Sequence, residues 1–242
     1  GSMRVFEVYG YGGRNGRTIE SETYHFKGVS GEEQTYLCVS DWHVRLARMK
    51  ETISHAGDYA AVLLMGDAAP ALQYEDEAAH YIVKFGGDVS GGEKPVIYLR
   101  GNHETRGAYA SELPGALGLN EFYGEVRMGD YRIIVLDSGE DKVDSHPEYG
   151  SLSDYGAYRV AMVEWLESLE NDGSKTIVLS HSPSICLDSE EELRDRAYAA
   201  IERIGGSLVI SGHLHELYFN NGSEIVNEVY RFTGDDYEDD AT

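Results

Sequence analysis

Basic side chains are scarce in this chain: 20 lysines and arginines stand against 43 aspartates and glutamates, a formal net charge of −23 over 242 residues. Nucleic-acid backbones are held by clustered Lys and Arg, so nucleic-acid backbone binding is not expected. Cysteine is rarer still, with Cys38 and Cys186 alone, which argues against a disulfide framework. Cys38 lies inside an apolar run, and a buried free thiol is expected there. No apolar run approaches the roughly 20 residues of a membrane helix, so a soluble protein with no membrane partner is expected. Gly1-Ser2 reads as a cloning scar before Met3, and no charged-then-apolar secretion signal follows. With Met3 as the native start, the expected location is cytoplasmic.

The chain carries strand-like runs that end abruptly in chemistry-bearing residues. The central one is Tyr98-Leu-Arg-Gly-Asn-His-Glu-Thr-Arg-Gly107, where an apolar stretch breaks at Gly101. A strand ending in a glycine turn exposes its next side chains at a sheet edge, where α/β proteins place ligands. Four other runs end alike. Asp41-Trp42-His43 follows Thr35–Ser40, Gly66-Asp67 follows Ala61–Met65, His181 follows Thr176–Ser180, and Gly212-His213-Leu214-His215 follows Leu208–Ser211. Together these ends supply aspartate, histidine and asparagine, a metal-ligand inventory. Asp41 and Asp67 follow otherwise apolar strands, where an unpaired carboxylate would be costly and a counter-charge is expected.

The coarse pattern is consistent with such an edge. Alternation over Arg4–Tyr9 and Thr18–Phe26 predicts two strands, with the glycine-rich Gly10–Gly16 as a long hairpin turn. A dinucleotide fingerprint would need a helix after those glycines, and the following residues alternate like a strand. From Thr35 onward strands and helices alternate, which predicts a parallel sheet. Helices are predicted over Val44–His55, Glu75–Phe85, Ala108–Leu119 (broken by Pro114 and Gly115), Tyr158–Leu169 closed by Asn171-Asp172-Gly173, and from a Ser189 cap to Ile204. Glu121–Met128 and Tyr131–Leu136 predict a hairpin that begins a second sheet, and Asn220-Asn-Gly-Ser223 marks another. A single domain is expected over 3–233, with the N-terminal β-hairpin 4–27 added to its core and 234–242 as an acidic disordered tail.

The ordered set Asp-x-His, Gly-Asp, Gly-Asn-His-Glu, His and Gly-His-x-His, spread from Asp41 to His215, resembles the calcineurin-like metallophosphoesterases. Leu136-Asp-Ser-Gly-Glu-Asp-Lys142, with His146-Pro-Glu-Tyr149 after it, resembles a bacterial branch related to purple acid phosphatases. The resemblance implies an α/β fold, a four-layer αββα sandwich of two mixed β-sheets flanked by helices. It implies two metal ions. Asp41, His43 and His215 would hold one, Asn102, His181 and His213 the other, with Asp67 bridging. Imidazole, carboxylate and amide ligands suit Mn, Fe or Zn. The implied reaction is hydrolysis of a phosphomonoester or phosphodiester of modest size by in-line attack of a metal-bridging hydroxide.

By the same resemblance His103 is catalytic and not a ligand, protonating the leaving alkoxide or stabilising its charge. Arg106 offers a planar fork to phosphate oxygens beside Asn102, with a surface salt bridge as its alternative. Tyr149 and the loop from Ser138 to Tyr158 are expected along one cleft wall, while His25, His55, His80 and His146 read as structural or surface residues. The chain departs from serine/threonine protein phosphatases in having Ala68-Ala69-Pro70 after Gly66-Asp67, so the carboxylate that would orient His103 is missing. Glu104, Asp137 or some other hold would replace it. Two other functions are weighed: a catalytically silent metal-binding module that recognises a phosphorylated partner, and a serine/threonine protein phosphatase.

Overall fold

A computed structural model describes residues 2–3, 6–11, 14–20, 22–26, 28–31, 33–150, 152–215, 218–220 and 225–227. Strands β1 (Ser2–Met3) and β4 (Tyr24–His25) pair, and β2 (Phe6–Tyr11) and β3 (Arg14–Glu20) form the expected antiparallel hairpin. Its strands reach further into the glycine-rich stretch than expected, since Gly10 pairs with Asn15. The tail expected at 234–242 lies outside the described residues.

Strand β5 (Tyr36–Val39) leads to helix α1 (Leu46–Ile53), then to β6 (Ala61–Leu64). Helix α2 (Glu75–Ala78) continues through a π-helical segment (Ala79–Lys84) into α3 (Phe85–Ser90), five residues beyond the expected end at Phe85, and β7 (Val96–Tyr98) follows. The three strands are parallel in the order β5-β6-β7. After the short α4 (Leu113–Ala116) come β8 (Gly124–Met128), β9 (Tyr131–Leu136), α5 (Tyr155–Ser168), β10 (Lys175–Ser180), α6 (Glu191–Arg203) and β11 (Gly206–Ile210). These four strands form a mixed sheet in the order β11-β10-β9-β8, with only β8 antiparallel to its neighbour. The terminal hairpin β12 (Tyr218–Asn220) and β13 (Ile225–Asn227) lies where the Asn-Gly signal placed it.

Side-chain alternation along the strands builds the layers. Ala61, Leu63 and Met65 of one sheet meet Ile133, Val135, Ile177 and Leu179 of the other between the sheets. The intervening Val62 and Leu64 turn outward to Trp42, Ile82 and Phe85, and on the far side Ile134, Leu136 and Val178 face Met162, Val163 and Leu166 of α5 and Ala197 and Ile201 of α6. The result is helices, sheet, sheet, helices, the expected sandwich. Each fully buried Leu or Ile in it contributes roughly 1.5–3 kcal/mol over exposure. Among the described residues no helix is long and apolar enough to cross a membrane.

Some local expectations need correction. Cys38 is a free but exposed thiol, because β5 is the outermost strand of its sheet. The helix expected over Ala108–Leu119 shrinks to α4, whose second residue is Pro114. Ser189 does not cap α6; Glu190 precedes the helix, and its carboxylate receives Arg159 through two bonds of 2.7 Å. Asn171 is not the C-cap of α5, a place taken by Leu169; its side chain accepts from Gly173 N–H in a local turn.

Candidate metal centre

The ligand-type residues come together because two strand-end loops cross almost in contact. A Cβ on Gly101 would overlap Oδ1 and the backbone N of Asp67, so only glycine lets the Asn102 loop lie against Asp67. A Cβ on Gly212 would likewise overlap Ser40 and Asp41. The backbone is unusual at the same places: Asp41, His43, Asp67, His213 and His215 all have positive φ, between 37° and 73°. Such non-glycine conformations are uncommon and persist only where surroundings impose them. Here cross-loop bonds do so, from Asp41 N to Gly66 O and from His43 N to Asp67 O, each 3.0 Å.

Asp67 sits at the middle, 1% exposed. Its Oδ1 accepts from His103 N at 3.0 Å, while Oδ2 lies 3.2 Å from His181 Nε2, 3.8 Å from His43 Nε2 and 3.9 Å from His103 Nε2. Asp41 Oδ1 is 3.3 Å from His215 Nε2 and 3.9 Å from His181 Nε2. His213 Nδ1 lies 3.1 Å from Asn102 Oδ1. All seven residues expected as ligands are thus assembled. Ligand atoms of Asp41, His43 and His215 lie within 4.8 Å of one another, and so do those of Asp67, His181 and His213. A third such set joins His43, Asp67 and His103.

The donor set fits a cation. Asp41 Oδ1 and His181 Nε2 are both buried without a hydrogen-bond partner, a costly state for two polar atoms unless a charge completes them. His181 Nδ1 is 2.6 Å from the Met65 carbonyl, which can only accept, so Nδ1 carries the proton and Nε2 turns a lone pair inward. With no ion in place, burial works against charge on His181, but Asp67 and Asp41 outweigh it and raise the ring to about 9, so Nε2 carries a proton that a bound cation would displace. Burial would also raise Asp67, yet His181 and the His103 backbone hold it down at about 2. Burial first, then neighbouring imidazoles, lowers His43 and His213, which favours the neutral ligand form. The set is closed on the His181 side and open at His103 and His215, whose side chains are 29% and 56% exposed.

His103 is oriented by neither Glu104 nor Asp137. Its Nδ1–H donates to the Pro70 carbonyl at 2.9 Å, leaving Nε2 toward Asp67. Glu104, fully buried, instead accepts backbone N–H bonds from Asp67 (3.0 Å), Ala68, Ala69 (3.4 Å) and Gly101 (2.7 Å), clamping the two crossing loops. Asp137 takes the Arg100 guanidinium through Nε and Nη2 and also the Tyr158 hydroxyl.

Arg106 takes the salt bridge that was its alternative reading. Its Nε and Nη2 donate in parallel to Glu140 at 2.9 Å each, with Asp141 and Glu148 at 3.7 Å, so the fork meant for phosphate is filled by the protein's own carboxylate. Sequence reasoning assigned Glu140 no role. It is 2% exposed and also accepts from Thr105 (2.7 Å) and Tyr149 (2.8 Å). The only advance signal was its place in the Leu136–Lys142 segment. His146 bonds locally, its Nδ1 accepting from Glu148 N–H.

Comparison with known proteins agrees with this geometry. The sequence pattern of the calcineurin-like phosphoesterases matches residues 35–217. No curated protein matches the chain. Among solved structures, a purple acid phosphatase from yellow lupin (Lupinus luteus) seeds aligns with a TM-score of 0.51 at 17% identity, over 84% of this chain and 42% of the plant chain. The chain therefore spans less than half the length of that relative. A dimetal phosphatase from Danio rerio aligns with a TM-score of 0.52 at 12% identity, over 81% of this chain and 85% of its own. With the family pattern matched over residues 35–217 and the fold shared, the chain belongs to the calcineurin-like phosphoesterase family.

Proposed function

We propose that the chain is a dinuclear metal-dependent phosphoesterase, formed as one domain over 3–233. The observation that carries this reading is the pair of buried atoms without a hydrogen-bond partner, Asp41 Oδ1 and His181 Nε2, which lie 3.9 Å apart beside Asp67. Asp41, His43 and His215 would hold one ion and Asn102, His181 and His213 the other, with Asp67 between them. Two bound divalent ions supply positive charge to phosphate oxygens and acidify water at neutral pH.

Hydrolysis forms one P–O bond from water and breaks the P–O bond to the leaving group, whose oxygen then needs a proton. His103 is placed to give it. Its Nδ1 is tied to Pro70, so Nε2 is the atom that faces the cleft and exchanges the proton. Asn102, 5% exposed, is fixed by Thr105, whose hydroxyl donates to its carbonyl at 2.6 Å. That bond fixes the main chain, and the side-chain Oδ1 lies 3.1 Å from His213 Nδ1, where the amide would be both ligand and phosphate contact. Glu104 keeps Asp67 and Asn102 at constant separation, which an in-line displacement requires.

The test is hydrolysis of aryl phosphates and bis-aryl phosphates with Mn²⁺, Zn²⁺ or Fe²⁺ added. Activity should need metal and vanish in Asp67→Asn, with elemental analysis showing loss of bound ions. Metal-replete wild type that turns over neither ester would refute the proposal. An oriented His103 disfavours the silent-module alternative, which has no use for a proton donor.

A further inference from the structure

Beside the metal centre, one wall of the cleft has its cations already spoken for. Arg106 follows Asn102 and His103 in the same loop, and its two-pronged face is closed by Glu140. Lys142, the other cation there, lies 2.8 Å from Asp141 and 3.3 Å from Glu148. Arg106 and Lys142 thus sit among Glu140, Asp141 and Glu148, two positive against three negative groups. Tyr149 completes the cluster by donating to Glu140 at 2.8 Å, with Asp141 Oδ1 3.2 Å from the same hydroxyl. The cluster reaches the loop of the candidate ligands, since the Thr105 hydroxyl lies 2.7 Å from Glu140 and 2.6 Å from the main-chain carbonyl of Asn102.

This arrangement is built. Glu140 is buried and its four contacts come from three separate positions of the chain, Thr105, Arg106 and Tyr149. Its backbone is held too, because the buried Arg159 donates to the carbonyls of Ser138 (3.1 Å) and Glu140 (3.4 Å). Opening the Arg106–Glu140 pair to release the guanidinium would leave a buried carboxylate short of its partner, which is unfavourable. Arg106 is therefore withheld from substrate.

A phosphomonoester carries close to two negative charges near pH 7, and a diester carries one. A monoester gains most from a free guanidinium beside the ions and suffers most from a net negative wall. Building on the phosphoesterase reading, we infer that Glu140, by sequestering Arg106, makes this a site for monoanionic phosphodiesters over dianionic phosphomonoesters. Glu140 is a specificity-determining residue acting through Arg106, and it touches neither the reacting atoms nor the ions.

The experiment compares metal-loaded wild type, Glu140→Gln and Arg106→Ala on bis(4-nitrophenyl) phosphate and 4-nitrophenyl phosphate at pH 7.5. Wild type should favour the diester in kcat/KM by at least about tenfold. Glu140→Gln should shift that ratio toward the monoester by roughly tenfold, through KM of the monoester and not through kcat of the diester. Arg106→Ala should leave diester kcat/KM within about threefold of wild type, because the arginine does not meet substrate. A monoester preference in wild type overturns the inference, as does an Arg106→Ala variant that keeps its metal and loses most activity on either ester. The wild-type ratio and Arg106→Ala decide the matter even if Glu140→Gln does not fold. Metal-loaded wild type inert on both esters would overturn the phosphoesterase reading itself, and this inference with it.

Discussion

The Nδ1 of His103 donates to the carbonyl oxygen of Pro70 at 2.9 Å. A main-chain oxygen thus does what a carboxylate does elsewhere, fixing the ring and its tautomer, and it does so without adding charge to a site already rich in negative groups.

His103→Gln should therefore remove a proton donor and leave the ions in place. We expect kcat to fall by about 10²–10⁴-fold with unchanged metal content. The fall should be steeper for an alkyl leaving group than for 4-nitrophenol, whose oxygen leaves without help. Equal losses across a leaving-group series would show that His103 is not the donor.

Glu104→Gln keeps the shape of a buried side chain but sets an NH₂ against backbone N–H groups that now meet a carboxylate. The expected destabilisation is about 2–4 kcal/mol, read from urea unfolding in the presence of chelator. Weaker retention of metal should accompany it, since the Asp67 and Asn102 loops lose their common clamp. A variant as stable as wild type would exclude the clamp.

Gly101→Ala should be as harmful to the site as loss of a ligand. The added methyl meets Asp67 side chain and backbone, so one loop must retreat. We expect a folded protein by circular dichroism, with activity reduced by about 10²-fold as ligands move by roughly an ångström. Normal activity would mean that the loops can part without cost.

Glu140 gives a pH signature. Burial alone would raise its carboxyl, but bonds from Arg106, Thr105 and Tyr149 overcome that and leave it below the ordinary glutamate value. A depressed carboxyl stabilises the fold above its unfolded value of about 4.3 and ceases to do so as pH falls through the folded value. The stability gap between wild type and Glu140→Gln should then be full at pH 7 and narrow below about pH 4. Chemical denaturation at both pH values checks this, and a gap independent of pH would contradict it.

The cluster of aspartates, histidines and Asn102 was legible because its members follow apolar runs, and strand periodicity picked out those runs. Asp41, Asp67 and His181 lie side by side at the strand ends. What escaped notice depends on chain reversal or on backbone atoms. Pro70 contributes a carbonyl, which every residue owns, so no residue type announces it. Glu140 and Arg106 are 34 positions apart and pair only once the loop after β9 folds over the loop after β7. Arg106 read as a phosphate fork because guanidinium chemistry is the same toward phosphate and carboxylate. Cys38 read as buried because an apolar strand does not say whether it lies at the rim of its sheet.

The left-handed conformers at Asp41, Asp67, His213 and His215 bear on whether such motifs can be transplanted. Each costs on the order of 1–2 kcal/mol in an isolated peptide, and here neighbouring loops impose it. A synthetic segment spanning 212–215 would begin with both imidazoles misdirected, and we expect it to take up zinc no better than any loose His-x-His pair. Titration of that peptide against the intact protein would reveal the difference. Any ion-holding capacity would then be a property of the crossing itself, not excisable from this chain one fragment at a time.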